Sequence, residues 1–147
     1  MSEIEFDKRE LQLKLCDILY AVAKICEEHD IRYYLDGGTT LGAVRHKGFI
    51  PWDDDIDIVM PRPDFEYFLK IANEKLPEYY EVRTHKTHPG GHVYPWAKIE
   101  DGRTTVVVDW QRHLNYKGGI FIDLFPLDGL PGNKNRMRFM YHFLIIL

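Results

Sequence analysis

Asp36-Gly-Gly-Thr-Thr-Leu-Gly-Ala-Val-Arg-His-Lys-Gly-Phe-Ile-Pro-Trp-Asp-Asp-Asp-Ile-Asp-Ile58 opens on a glycine pair, crosses a basic triplet and ends in a run of carboxylates. An extended backbone over 53–60 alternates its side chains, so Asp53, Asp55 and Asp57 share one face while Ile56 and Ile58 take the other. Neighbouring carboxylates on that face stand about 7 Å apart. Each such pair repels by about 2 kcal/mol at an effective dielectric near 20. Three charges in a row need solvent or a cation to hold them, which makes the ladder a candidate metal site. An acidic turn in solvent is the simpler alternative, but Ile56, Ile58, Val59 and Met60 interleave with and follow the acids, as a strand buried on one face requires. A calcium loop beginning at Asp53 fails, because Ile58 stands at its glycine position, Asp64 stands at its closing glutamate, and two prolines interrupt it.

Working backwards from the acids, Ile31 to Leu35 is a predicted strand stopped by Asp36-Gly37-Gly38. Thr39 to Arg45 is a predicted short helix. The glycine pair then lies where a strand gives way to a helix N-terminus, whose backbone N–H groups can hold a phosphate together with the Thr39 or Thr40 hydroxyl. Further back, Leu11, Leu15, Ile18, Leu19, Val22, Ile25 and Cys26 recur at helical spacing over residues 7–29, with Asp7 as a candidate cap.

Working forwards, Pro61 and Pro63 end the acidic strand, and Asp64 to Lys75 reads as an amphipathic helix turning Phe65, Phe68, Leu69 and Ile71/Ala72 inward. Tyr80 to Thr84 is a short strand. Val93 to Ile99 and Thr104 to Trp110 suggest a hairpin turning at Asp101-Gly102. Gly118-Gly119 leads into Ile120-Phe-Ile-Asp-Leu-Phe125, a buried strand carrying one carboxylate. Residues 133–147 become helical and apolar and end on Phe143-Leu-Ile-Ile-Leu147 with no capping signal. That ending suggests a chain that continues beyond Leu147, or a helix that meets a partner or a membrane surface.

The 147 residues suit one domain, and 45% hydrophobic with 14% aromatic residues supports a packed one. A net charge of -4 provides no basic field for nucleic acid. Cys16 and Cys26 are about 15 Å apart along a helix, too far for a disulfide. With no signal-like N-terminus and no run long enough to span a bilayer, the expectation is a reduced, cytoplasmic protein.

Hard carboxylate oxygens suit Mg²⁺ or Mn²⁺, and ions of that kind serve displacement at phosphorus. A third carboxylate opposite the pair is wanted, and Asp123, isolated between Ile122 and Leu124, is the candidate; its alternative is a structural role bonding backbone amides. Asp128, in the turn Pro126-Leu-Asp-Gly129, reads as structural. Arg45 is the strongest cationic phosphate ligand of the loop because a guanidinium can grip phosphate bidentately. His46 and Lys47 are lesser candidates, as is Lys98, and the alternative is a solvated basic loop. His85, His88 and His92 span a Pro-Gly-Gly loop with no regular ligand geometry, which opposes zinc. Trp96, Trp110 and Tyr94 read as core, whereas Trp52 adjoins the acids and could stack on a base or cover a choline-like cation.

The stretch Gly38-Thr-Thr-Leu-Gly-Ala-Val-Arg-His-Lys-Gly-Phe-Ile-Pro-Trp-Asp-Asp-Asp-Ile-Asp57 resembles the signature of LicD-type phosphotransferases, a family that includes phosphocholine transferases of bacterial surface glycans and fukutin-related ribitol-phosphate transferases. The resemblance extends through Met60-Pro-Arg-Pro-Asp64 and Gly119-Ile-Phe-Ile-Asp-Leu-Phe-Pro-Leu-Asp128, and family members run longer than this chain. It implies an α+β, nucleotidyltransferase-like fold, a small mixed sheet with helices packed on it. It also implies Mg²⁺-dependent transfer of a phospho-alcohol from a CDP-linked donor to a sugar hydroxyl of a cell-surface polysaccharide such as lipopolysaccharide. Asp55 and Asp57 match the family's metal pair, Asp53 flanks it, Asp123 matches the third acid, and Gly37 and Gly38 match the glycine turn. Nucleotidyl transfer with release of pyrophosphate, or a non-catalytic nucleotide- or metal-binding module, are the alternatives.

Overall fold

The computed structural model describes residues 7–89, 92, 94–106 and 118–138. Helix α1 runs from Lys8 to Glu28, and the Asp7 side chain accepts a hydrogen bond from the Arg9 amide at 2.9 Å to cap it. It stops where Asp30 turns left-handed (φ 55°) and the Ile31 amide reaches back to the Cys26 carbonyl at 2.8 Å. Its apolar stripe, Leu15, Ile18, Val22, Ile25 and Cys26, is buried. Both cysteines are free thiols, and burial pushes Cys26 up to about 12.

The strand β1 is only Tyr34–Leu35, shorter than the spacing of 31–35 suggested. Helix α2 follows at Gly37–His46, so the glycine pair forms its first turn rather than preceding it. Lys47, left-handed at φ 59°, closes the helix with its amide on the Gly42 carbonyl. Strand β2, Asp57–Pro61, is followed without a loop by α3, Arg62–Lys75, with a proline in the first helical turn where its missing N–H costs nothing. Phe65, Phe68 and Ala72 line the buried face of α3, as expected.

The acidic strand begins at Asp57, not at Asp53 as the alternation suggested. Pro51 lacks a donor, the Asp53 amide turns back to the Ile50 carbonyl at 2.9 Å, and Gln12 of α1 donates to the Asp53 carbonyl at 3.0 Å. These bonds hold 50–53 as a turn and take the Asp53 backbone out of any ladder.

Strands β3 (Tyr80–Arg83), β4 (Ala97–Val106) and β5 (Gly118–Leu127) complete a five-stranded mixed sheet of order β1-β2-β5-β4-β3. Only β2 and β5 are parallel. Asp101-Gly102 is not a hairpin turn. Strand β4 passes straight through it with a shift of register before Val106, because Arg103 engages the Asp101 carboxylate at 2.7 and 2.8 Å and the Gly102 amide bonds Tyr79 at 2.8 Å. The far end of the expected strand, 107–110, lies outside the described residues.

Helices α1 and α3 pack against β2, β4 and β5, and Ile58, Met60, Ile99, Ile122 and Leu124 are wholly buried in the core. This is an α+β fold. Residues 134–138 are helical, and the apolar stretch 139–147 lies outside the described residues. No described helix is long and apolar enough to cross a membrane.

Candidate active site

The candidate site lies on the sheet face opposite the core residues Ile58, Ile99, Ile122 and Leu124. In the parallel ladder Asp57 is the direct partner of Asp123, Asp123 pairs across β5 and β4 with Lys98, and Lys98 pairs with Arg83. Directly paired residues point to the same side of a sheet, so Asp57, Asp123, Lys98 and Arg83 form one polar row. Register between β2 and β5, rather than alternation along one strand, is what brings the isolated Asp123 to the acidic segment.

Asp53, Asp54 and Asp55 stand at the mouth of this row, with one carboxylate oxygen from each within 4.8 Å of the others. The tight triple therefore includes Asp54, which a strand would have turned away. Asp54 also faces Lys8 at 3.7 Å, whereas Asp57 stands deeper, beside Asp123. Burial first, then the charges of Asp55, Asp123, Asp36 and Asp53, push the Asp57 carboxyl up to about 6. Asp55 is raised by burial and then by Asp53, Asp54 and Asp123. Asp123 is raised by burial, against the lowering pull of Lys98 and Trp96.

The N-terminal turn of α2 abuts these acids. A Cβ on Gly38 would lie 3.0 Å from Asp53 Oδ2, and one on Gly37, whose φ is +50°, would lie 3.3 Å from Asp57 Oδ2. The positive φ of Gly37 favours glycine there, and at Gly38 an added Cβ would press on the Asp53 side chain, so the glycine pair lets the helix end approach the carboxylates closely. The Thr39 hydroxyl accepts a hydrogen bond from the Asp57 amide at 2.9 Å and the Asp36 amide donates to the Asp57 carbonyl at 3.0 Å, tying helix to strand. Thr40, on the same turn, is exposed. Arg45 and Lys47 are not brought to this end. Both are exposed at the far end of α2, about 12 Å along its axis, and the Lys47 ammonium donates to the Val44 carbonyl at 3.2 Å.

Lys98 and Trp96 are the members that sequence reasoning undervalued. Lys98 is buried, its ammonium 3.6 Å from Asp123 Oδ1 and 3.2 Å from the centre of the Phe121 ring, and burial lowers its pKa against the pull of Asp123. The Trp96 indole N–H donates to the same Oδ1 at 2.6 Å. Polar side chains at Lys98 and Glu100, alternating with apolar Ala97 and Ile99, were the signal that could have placed Trp96 on the site face as well. Asp128 makes a two-point ion pair with Arg62 (2.6 and 2.7 Å), as a structural role implies. His88 engages Glu81 and His92 engages the Trp96 carbonyl, so the histidines form no metal cluster among the described residues.

The donor set is all carboxylate, which suits a hard divalent cation. One observation tests that fit. Asp53 Oδ2 is buried and has no hydrogen-bond partner, the condition a bound cation relieves. A cleft of about 360 Å³ opens beside the acids, lined by Asp54, Asp55, Phe121 and Asp123 together with Leu11 and Leu15.

Residues 30–143 match the family model described as LicD/FKTN/FKRP, nucleotidyltransferase domain. The chain belongs to this family. Over 123 residues it is 40% identical to the lipopolysaccharide cholinephosphotransferase LicD of Haemophilus influenzae, covering 84% of this chain and 45% of that protein. A shorter segment of 37 residues is 49% identical to the human ribitol 5-phosphate transferase FKRP, covering 25% of this chain and 8% of that protein. The LicD-family chain described here thus spans under half the length of either relative.

Proposed function

We propose that this chain is the catalytic core of a metal-dependent phosphotransferase, which moves a phospho-alcohol such as phosphocholine from a CDP-linked donor to a sugar hydroxyl of a cell-surface glycan. The observation that carries this reading is the side-by-side placement of Asp57 and Asp123 on parallel strands, with the Asp53–Asp55 cluster and the glycine turn of α2 at their mouth. Asp53, Asp55, Asp57 and Asp123 would hold Mg²⁺ or Mn²⁺. Such an ion, when bound, neutralises phosphate oxygens and stabilises the departing nucleotide oxygen.

The chain's own residues do the rest. The α2 N-terminus, with Gly37, Gly38 and the Thr39 and Thr40 hydroxyls, faces the donor's pyrophosphate with backbone N–H groups and a favourable helix dipole. The acceptor hydroxyl attacks the phosphorus that bears the alcohol. A new P–O bond forms, the bond to the bridging oxygen breaks, and CMP leaves. Asp123 Oδ1 is committed to Trp96 and Lys98, so Oδ2 is the oxygen left for the cation or for the hydroxyl proton. Free thiols at Cys16 and Cys26 support action on the cytoplasmic side.

The test is a thermal-shift screen of CDP-choline, CDP-ribitol and CDP-glycerol with and without Mg²⁺, followed by product analysis. A Mg²⁺-dependent rise in Tm with one donor, and release of CMP, is expected. Pyrophosphate release from CTP would instead indicate nucleotidyl transfer, and binding without turnover a non-catalytic module.

A further inference from the structure

Trp96 has two sides. Its ring stacks on Tyr94, centroids 4.5 Å apart, and leans on Phe125 at 4.9 Å. Its indole N–H, the one polar group it carries, is spent on Asp123 Oδ1 at 2.6 Å, on the oxygen that Lys98 also approaches at 3.6 Å. Behind it, His92 Nε2 lies 2.7 Å from the Trp96 carbonyl. A carbonyl only accepts, so this nitrogen carries the proton and donates. His92 is itself buried, 4% exposed, and packs edge-on against Tyr94 at 5.5 Å. The result is a continuous chain, His92 to Trp96 to Asp123, that ends on one oxygen of one carboxylate.

We propose that Trp96 is a positioning residue for the metal site, clamping Asp123 Oδ1 so that Oδ2 is the edge left to ligate the cation, with His92 fixing the Trp96 backbone in turn. This rests on the metal-site reading above. A carboxylate with two equivalent oxygens can rotate about χ2 and offer either edge, or both, to a cation. A donor of fixed direction on one oxygen removes that freedom before the cation arrives. Partners of this outer kind commonly account for 10- to 100-fold in metal affinity. Lys98 cannot replace the indole in this role, because a flexible ammonium at 3.6 Å supplies charge without direction.

The test is Mn²⁺ affinity measured by electron paramagnetic resonance on the metal-free protein, independent of turnover. Trp96→Phe keeps an aromatic ring against Tyr94 and Phe125 and removes the donor together with the indole's five-membered ring, so the metal-free Tm reports the packing loss separately. It should weaken Mn²⁺ binding about 10-fold or more while its circular dichroism matches wild type. A folded Trp96→Phe protein that binds Mn²⁺ within about twofold of wild type, with the threshold set well below that range, overturns the proposal. Should Trp96→Phe not fold, the His92 pair decides. Weaker Mn²⁺ binding in His92→Ala, restored in His92→Gln, supports the clamp, and equal binding in both variants and wild type overturns it. Asp57→Asn is the control that separates the two levels. If it too leaves Mn²⁺ affinity unchanged, the metal-site reading fails along with the clamp. If Asp57→Asn weakens binding and Trp96→Phe does not, the clamp alone fails.

Discussion

Replacing Asp57 with Asn should stabilise the metal-free protein while abolishing transfer. Asp57 is partly buried beside Asp123, with Asp55, Asp36 and Asp53 in its field, and its carboxyl is pushed from 3.8 up to about 6. A raised carboxyl favours the protonated form in the folded state. Its contribution to stability is therefore fully present below pH 3.8 and is lost as the pH climbs through about 6. At full weight the displacement corresponds to about 3 kcal/mol, and solvent screening of the exposed part of the carboxylate reduces this to about 1 kcal/mol. Asn keeps the shape and cannot ionise. In EDTA at pH 7.5, Asp57→Asn should melt higher than wild type by about 3 °C for a chain of this length. At pH 4 the two proteins should melt together. Thermal unfolding followed by circular dichroism across this range, beside an assay of CMP release, measures both effects. An Asn variant less stable than wild type at pH 7.5, or a gap that does not change with pH, would refute the claim that charge is held at Asp57 against the preference of the fold.

Other consequences follow from the same geometry. Mg²⁺ at 100 times its Kd should stabilise wild type by about 2.7 kcal/mol at pH 7.5. The same Mg²⁺ concentration should do much less at pH 5, where the ligands compete with protons; an equal gain at both pH values in a Tm series would contradict it. Thr39→Val removes the acceptor for the Asp57 amide at 2.9 Å, and urea unfolding should show a loss of about 1–3 kcal/mol. Gly119→Ala would put a Cβ into the Asp101 carbonyl oxygen and 2.7 Å from its carbon. Strands β4 and β5 would have to part, at a cost of about 3 kcal/mol by the same measurement.

The helices were legible because their signals are local. The apolar spacing of Leu15, Ile18, Val22 and Ile25 and the cap at Asp7 mark α1, and Phe65, Phe68 and Ala72 mark the buried face of α3. The identity of the acids was legible from their crowding, but not their arrangement. Gln12, 41 positions from Asp53, holds the carbonyl that a strand would have used, and such a distant partner leaves no periodic trace. Asp101-Gly102 misled for a related reason, since the Arg103 guanidinium and the Tyr79 carbonyl take up the groups a turn would have used. Trp96 reads as core from the sequence because most of a tryptophan side chain is apolar, and only its hydrogen bond to Asp123, across paired strands β4 and β5, reveals its place at the site.

Phosphorus relaxation of CDP-choline in the presence of the protein and Mn²⁺ bears most directly on whether these carboxylates gather a cation and a pyrophosphate into one site. Both ³¹P resonances should relax faster with wild type than with Mn²⁺ alone, and the enhancement should vanish in Asp57→Asn and on competition with excess Mg²⁺. Relaxation equal to that of free Mn²⁺ and donor, or an enhancement that survives intact in Asp57→Asn, would show that no such site exists among these residues.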